Sequence, residues 1–336
     1  MSHHKRRFST TAIVLILLIW PTGACFDSEA ESREVSVRTY GTTTQRTEPV
    51  TGTSTTTSTV PVESTEVATS SQPGTVIDRF VSYEEAEAAY HDGRFVEAMG
   101  LFTNYLEHRS DNVWGHFMLG MSARRAGDDV AAEESFRLGL EKDPTHVPSL
   151  VNLTRVLLDH DRPEEALESI DEALALDPES NSVYRVLGRV QYELGEVEHA
   201  IESYQEALEI DDRDVWSMNN LGLLLIREDR YDEAVFPLAR ATLLRDDIAI
   251  FHNNLGIVLE QRGLPGSAET SFRTAVELDP LHERAAVNLA RVEGREDDPT
   301  VARFDVEQAS QKFLEEIERW RAFPYDRVSL DLGCTD

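Results

Sequence analysis

A fixed period of 34 residues constrains this chain more than any other feature of its sequence. Six alanines recur at this interval: Ala98, Ala132, Ala166, Ala200, Ala234 and Ala268. The period divides the chain into six units without insertion, namely 79–112, 113–146, 147–180, 181–214, 215–248 and 249–282. A repeat of this length is typical of a stacked solenoid, in which each unit packs only against its neighbours.

Two further positions of the unit predict that each one is a helical hairpin. Position 8 is small in most units: Ala86, Gly120, Gly188, Gly222 and Gly256. Position 24 is bulky in all six: Phe102, Phe136, Ile170, Tyr204, Leu238 and Phe272. Small residues let two antiparallel helices approach closely, and a bulky residue fills the space between them. Proline at position 32 of three units ends the second helix.

This set of positions resembles the tetratricopeptide repeat family. The match is close at residues 187–212, which read LGRVQYELGEVEHAIESYQEALEIDD. The resemblance covers residues 79–295 and implies an all-α fold, a right-handed superhelical solenoid of six hairpins plus capping helices. It implies a binding role but names no partner, because the same fold hosts many unrelated functions.

The chain after the solenoid, residues 296–336, contains an amphipathic segment at residues 305–322. Its apolar residues recur at spacings of three and four: Val306, Ala309, Phe313, Ile317 and Trp320. This spacing predicts a helix with one apolar face. We expect this helix to cap the solenoid; the alternative is that it folds into the groove as an autoinhibitory plug.

The amino terminus predicts export. A basic stretch at residues 5–7 precedes an apolar run at residues 11–20 and then small residues, which is the layout of a secretory signal. Residues 23–25 (Gly-Ala-Cys) resemble the lipobox of bacterial lipoproteins. That resemblance implies a signal peptide over residues 1–24, a lipid on Cys25 and a location in the bacterial cell envelope, either periplasmic or associated with the outer membrane. Ordinary cleavage and an uncleaved membrane anchor are the alternatives.

Between the signal and the repeats, residues 25–78 are rich in Thr, Ser and Pro and show no apolar periodicity. Such a segment cannot bury enough apolar surface to offset the entropy lost on ordering. We expect a disordered tether between membrane and solenoid.

Charge is distributed unevenly between the two helices of a unit. The net charge of −30 argues against nucleic acid as a ligand. Yet the first helices of units two to six carry seven arginines against four acidic residues, while the remainder of those units sums to −22. In the tetratricopeptide family the first helices line a concave groove. The pattern therefore favours an extended or acidic peptide segment as partner; a merely solvated, glutamate-rich outer face is the alternative.

Asparagine marks the same groove. It occupies position 6 of several units and in two cases also position 5: Asn152, Asn220, Asn254 and Asn288, with Asn219 and Asn253. An amide can donate and accept hydrogen bonds at once, as a peptide bond does. In family members with an asparagine ladder, this position binds the main chain of an extended peptide; the alternative is support within the hairpin. The predicted groove also includes Arg155, Arg185, Arg189, Trp114 and Trp216, and edge packing is the alternative for the two tryptophans.

No motif in the sequence predicts catalysis. It has no Gly-rich phosphate loop, paired-histidine zinc motif or nucleophile elbow. We therefore predict no enzymatic activity, no catalytic residue, no metal and no cofactor. The expected function is an exported, lipid-anchored scaffold that holds extended segments of envelope proteins; the alternative is an adaptor retained by an uncleaved amino-terminal anchor.

Overall fold

Residues 80–323, which the computed structural model describes, form fourteen α-helices. They are α1 Tyr83–His91, α2 Phe95–His108, α3 Val113–Ala126, α4 Asp129–Lys142, α5 Val147–Asp159, α6 Pro163–Leu176, α7 Asn181–Glu193, α8 Val197–Ile210, α9 Val215–Arg227, α10 Tyr231–Leu244, α11 Ala249–Gln261, α12 Pro265–Leu278, α13 Glu283–Val292 and α14 Val306–Ala322. From α3 to α13 each first helix begins 34 residues after the one before, so the predicted all-α solenoid is confirmed. The predicted signal peptide and tether lie outside the described residues.

Each hairpin is held by contact between positions 8 and 24. A Cβ atom placed on Gly120 would lie 2.6 Å from the ring of Phe136, and one on Gly256 would lie 2.6 Å from the ring of Phe272. The six periodic alanines are fully buried beside these contacts. Close helix approach around a bulky side chain is therefore the packing rule of the fold, as the sequence predicted.

The turn within each hairpin requires a left-handed residue. Glycine supplies it in four hairpins, for example Gly127 with φ of 81°. In the third and fifth hairpins Asp161 and Asp229 take its place, with φ of 56° and 58°. Aspartate is among the few residues with a side chain that adopt this region, so the helical register continues through the two units without glycine.

The stack curves with its first helices on the inside. First helices of successive units contact one another along the whole array, from α1 and α3 to α11 and α13. Within the described part of the chain, second helices of successive units make no such contact. We call the side formed by the first helices the inner face and the side formed by the second helices the outer face.

The last two helices occupy different places. Helix α13 packs against α11 and α12 and covers the end of the stack. Helix α14 instead lies across α8 and α10 on the outer face, with Phe313, Ile317 and Trp320 buried. It neither caps the end nor enters the inner face, contrary to expectation. The reason is that α8 and α10 do not contact one another, so α14 can pack against both, and its Lys312 Nζ lies 5.9 Å from the ring centroid of Phe236 on α10.

Candidate peptide-binding face

The predicted asparagines form a ladder between neighbouring first helices. Asn254 Nδ2 donates to Asn219 Oδ1 at 2.8 Å, and Asn288 Nδ2 donates to Asn253 Oδ1 at 2.9 Å. Within each helix Asn219 and Asn253 also donate weakly to the next asparagine. All but Asn288 are buried. These amides therefore hold α9, α11 and α13 in register. This is internal support, as the alternative stated, but it joins neighbouring units and not the two helices of one hairpin.

One of the predicted arginines, Arg189, forms an ion pair between units. Arg189 donates to Asp159 Oδ1 at 2.7 Å, and Arg124 donates to the other oxygen of the same carboxylate at 3.3 Å. One acidic side chain on α5 thereby joins α3 and α7. Arg189 is almost entirely buried, and Asp159 compensates its charge within the fold.

A second carboxylate, Asp214, compensates Arg185. The distance from Arg185 Nη1 to Asp214 Oδ2 is 2.7 Å, and Asp214 is buried. Asp214 is also the N-cap of α9, where its Oδ1 accepts from the backbone of Trp216 and Ser217. Sequence reasoning missed this residue, although the preference of aspartate for N-cap positions was the available signal.

Arg155 and Asn152 lie together on α5. Arg155 Nη1 donates to Asn152 Oδ1 at 3.3 Å, while the Asn152 amide donates to the Pro148 carbonyl at 2.9 Å. Both side chains are buried. The arginines of the inner face thus form hydrogen bonds and ion pairs with other residues of the solenoid. That the partner is acidic stays a prediction.

Trp114 is the most exposed of the predicted groove residues, with 52 % of its surface accessible. Its ring meets His146 edge to face, with 4.6 Å between centroids, and meets Phe117 at 5.6 Å. Burial lowers the pKa of His146, although the charge of Asp143 opposes the shift, and His146 Nδ1 lies 2.8 Å from Ser149 Oγ. The result is a rigid aromatic platform at the amino-terminal end of the inner face. Sequence reasoning did not include His146 in it.

Trp216 differs from Trp114. It is half-buried, and its ring packs edge to face on the buried Phe251 of the next first helix at 5.2 Å. This contact corresponds to the edge-packing alternative.

The described residues present neither a metal-binding cluster nor a membrane-spanning helix. Among residues 80–323, no three His, Cys, Asp or Glu side chains converge in a way that could hold a metal ion. No helix in that same stretch combines the length and the hydropathy needed to cross a bilayer. Cys25 and the predicted lipid site lie outside the described residues.

Comparison with known families identifies the same repeat. One model described as tetratricopeptide repeat matches residues 83–147, 152–215 and 253–319, and another of the same description matches residues 203–236. Tetratricopeptide repeat protein 8 of Caenorhabditis elegans is 29 % identical over 188 residues, which are 53 % of this chain and 36 % of that protein. The chain therefore spans only about a third of that relative.

Solved structures agree at the level of the fold. A tetratricopeptide repeat protein from Parabacteroides merdae superposes with a TM-score of 0.55 at 13 % identity, over 62 % of this chain and 82 % of that one. The pilF protein of Pseudomonas aeruginosa gives a TM-score of 0.50 at 18 % identity, over 65 % and 95 % of the two chains. At these identities the likeness concerns architecture alone.

Proposed function

Because the chain belongs to the tetratricopeptide repeat family, whose members generally mediate protein–protein interactions, we propose that its solenoid is a scaffold that holds an extended segment of a partner protein along the inner face. This fold is typical of interaction scaffolds without catalytic activity. The proposal specifies which face binds and what kind of segment it takes.

The observation that carries the proposal is the exposure of Trp114. Its indole is held in place by His146 and Phe117, yet about half of it is left uncovered by the fold. Rigid, partly exposed aromatic side chains are the residues that most often anchor a protein partner. An apolar or aromatic side chain of the partner segment would stack there.

The polar residues of the inner face supply a floor for such a segment. In this proposal two sets of side chains keep successive first helices in register and offer further hydrogen bonds to a bound main chain. They are Asn219, Asn220, Asn253, Asn254 and Asn288 in the later units, and Asn152, Arg155, Arg185 and Arg189 in the preceding units. We also propose that the segment is acidic. The support is the excess of arginine over acidic residues on the first helices, and the ion pairs of Arg185 with Asp214 and of Arg189 with Asp159 reduce this preference.

We further propose that the scaffold is exported and held at the cell envelope by lipid on Cys25, and that the partner is an envelope protein. The support is the order of basic, apolar and small residues in the first 25 positions. Mass spectrometry of the mature amino terminus tests this part. A lipid-modified Cys25 is expected, and an intact residue 1 would instead establish the alternative of an adaptor with an uncleaved anchor.

Site-specific photo-cross-linking in cells tests the binding face. A photoreactive amino acid at Trp114, and separately at Trp216, should capture the same partner protein. The matched control is Val130, which is 73 % exposed on α4 at the outer face. Peptide mapping of the cross-linked partner should identify one extended segment.

The outcome against the proposal is equally specific. If position 130 captures the partner while positions 114 and 216 do not, the binding surface is the outer face. Capture that is unchanged after Trp114→Ala, measured with the photoreactive residue at position 216, would remove the aromatic anchor from the proposal.

A further inference from the structure

The end of α14 fixes the point at which the rest of the chain leaves the solenoid. Helix α14 ends at Ala322, two residues before Pro324. The residue before a proline is disfavoured in the α region, so the helix does not continue. In its last turn Arg321 donates to the Glu209 carbonyl at 2.9 Å and to Asp212 Oδ2 at 3.0 Å. The chain from residue 324 onward therefore starts beside the connection between α8 and α9.

The connection between α8 and α9 leads directly onto the inner face, because α9 is a first helix. Trp216 lies in the first turn of α9, four residues after Asp212, and is half-buried. Consecutive Cα atoms are about 3.8 Å apart, so the Cα atoms of Asp212 and Trp216 lie at most about 15 Å apart. Residues 324–336 span up to roughly 43 Å when extended. This segment is therefore long enough to cover Trp216 and the neighbouring first helices, which pack about 8–10 Å away.

Two arginines beside this connection have no carboxylate partner. Arg213 is exposed, and within residues 80–323 neither Arg213 nor Arg240 forms an ion pair. Arg240 Nη1 donates to the neutral Ser310 Oγ at 3.3 Å. Burial lowers the pKa of Arg240; the charge of Asp212 opposes this shift, and that of Arg213 adds to it. The two cations are therefore close enough to repel one another, and an added carboxylate would stabilise both.

The sequence of residues 324–336, PYDRVSLDLGCTD, supplies groups that complement this surface. It contains three aspartates against one arginine, and two of them, Asp326 and Asp331, flank the apolar Val328 and Leu330. Asp326 follows Arg321 by only five residues, and the Arg321 side chain contacts the residue next to Arg213. An acidic segment with apolar residues is also the kind of ligand proposed for the inner face.

We propose that residues 324–336 dock back onto the solenoid across the connection between α8 and α9, with Asp326 beside Arg213 and the apolar residues after it against Trp216. The docked segment covers the part of the inner face that α9 forms. A partner segment displaces it in order to bind there. The docking is a property of this chain alone, whereas its effect on partner capture rests on the proposed function.

Photo-cross-linking within the purified full chain tests the docking. A photoreactive amino acid at Leu330 leaves Arg213 and Trp216 intact, and peptide mapping should find it joined to the first turns of α9. The product should keep the mass of one chain, with a yield that does not depend on protein concentration. The matched control carries the photoreactive residue at Val130 on the outer face and should not reach α9. Absence of the link from Leu330 to α9 would overturn the proposal.

Charge exchange tests the ion pair in the same assay. Arg213→Asp and Asp326→Arg should each lower the yield of the cross-link about fivefold, the effect of one partly exposed ion pair, and the two together should restore it. The matched control is Arg303→Asp, an exposed arginine before the start of α14, about 26 Å from its other end. It should leave the yield unchanged. Equal yields in all these variants would remove Arg213 from the docking surface.

Competition with the partner is tested by cross-linking in cells from position 216. A chain that stops after Phe323 should capture severalfold more partner than the full chain, with unchanged helix content by circular dichroism. Equal capture by both chains, without the link from Leu330 to α9, would refute the docking and leave the scaffold standing. The link from Leu330 without capture of any partner by either chain would support the docking and refute the proposed function.

Discussion

The packing rule of the hairpins predicts that one glycine cannot accept a methyl group. In Gly256→Ala the new Cβ atom would lie 2.6–3.0 Å from three ring carbons of Phe272. That ring is fully buried, so it has no free space to move into. The matched control is Gly100→Ala, in the interior of α2, where a Cβ atom would meet nothing within 4 Å.

The expected change in the free energy of unfolding is the sum of two opposed contributions. Alanine is favoured over glycine in a helix by about 0.5–1 kcal/mol. Overpacking of a well-packed core costs about 1–3 kcal/mol, and the lower part of that range applies because the first hairpin accommodates Ala86 beside Phe102. We expect Gly256→Ala to lower the free energy of unfolding by roughly 1 kcal/mol and Gly100→Ala to raise it by roughly 0.5–1 kcal/mol.

Urea denaturation followed by circular dichroism measures both variants, and amide hydrogen exchange localises the effect. Since repeats contact only their neighbours, faster exchange should appear in α11, α12 and the adjoining hairpin before it reaches α3. Adding Phe272→Leu to Gly256→Ala should recover part of the loss by making room for the methyl group. If Gly256→Ala stabilises the chain as much as Gly100→Ala does, the close contact does not determine hairpin stability.

Two further predictions concern groups that the fold perturbs. Burial lowers the pKa of His146 below its ordinary value of about 6.5, so the unfolded chain binds the extra proton first and stability should fall as the pH drops below 6.5. His146→Gln should weaken this pH dependence, measured by thermal melts at pH 7 and pH 5. An unchanged pH dependence would contradict this prediction. Asp297 Oδ1 accepts hydrogen bonds from the backbone amides of Gly266 and Ser267 at the start of α12. Asp297→Ala should therefore lower the free energy of unfolding by about 1 kcal/mol in urea denaturation, whereas Asp297→Asn should keep most of the stability of the unmodified chain. A silent Asp297→Ala would mean that solvent satisfies those amides equally well.

The sequence alone determined the repeat, its register and the location of every hairpin. It could do so because the hairpin contact is local: positions 8 and 24 lie 16 residues apart within one unit, and their size pattern recurs six times. Even the two units that lack the turn glycine fit, since Asp161 and Asp229 adopt its backbone conformation.

The roles of the inner-face residues could not be assigned in the same way. The asparagines and arginines were correctly placed on first helices, yet several of their hydrogen-bond partners come from a neighbouring unit. Asn254 meets Asn219 across 35 residues, and Arg189 meets Asp159 across 30. Position in the repeat indicates which face a side chain lies on, but only the curvature of the stack brings specific pairs within hydrogen-bonding distance.

Tertiary structure alone decided where α14 lies. An amphipathic pattern predicts that one face of the helix is buried. It does not predict which surface of the protein that face packs against, because the hydrophobic effect is not directional. The sequence analysis expected α14 at the end of the stack or on the inner face. In the structure it packs on the outer face against α8 and α10, where Lys312 of α14 lies over the ring of Phe236.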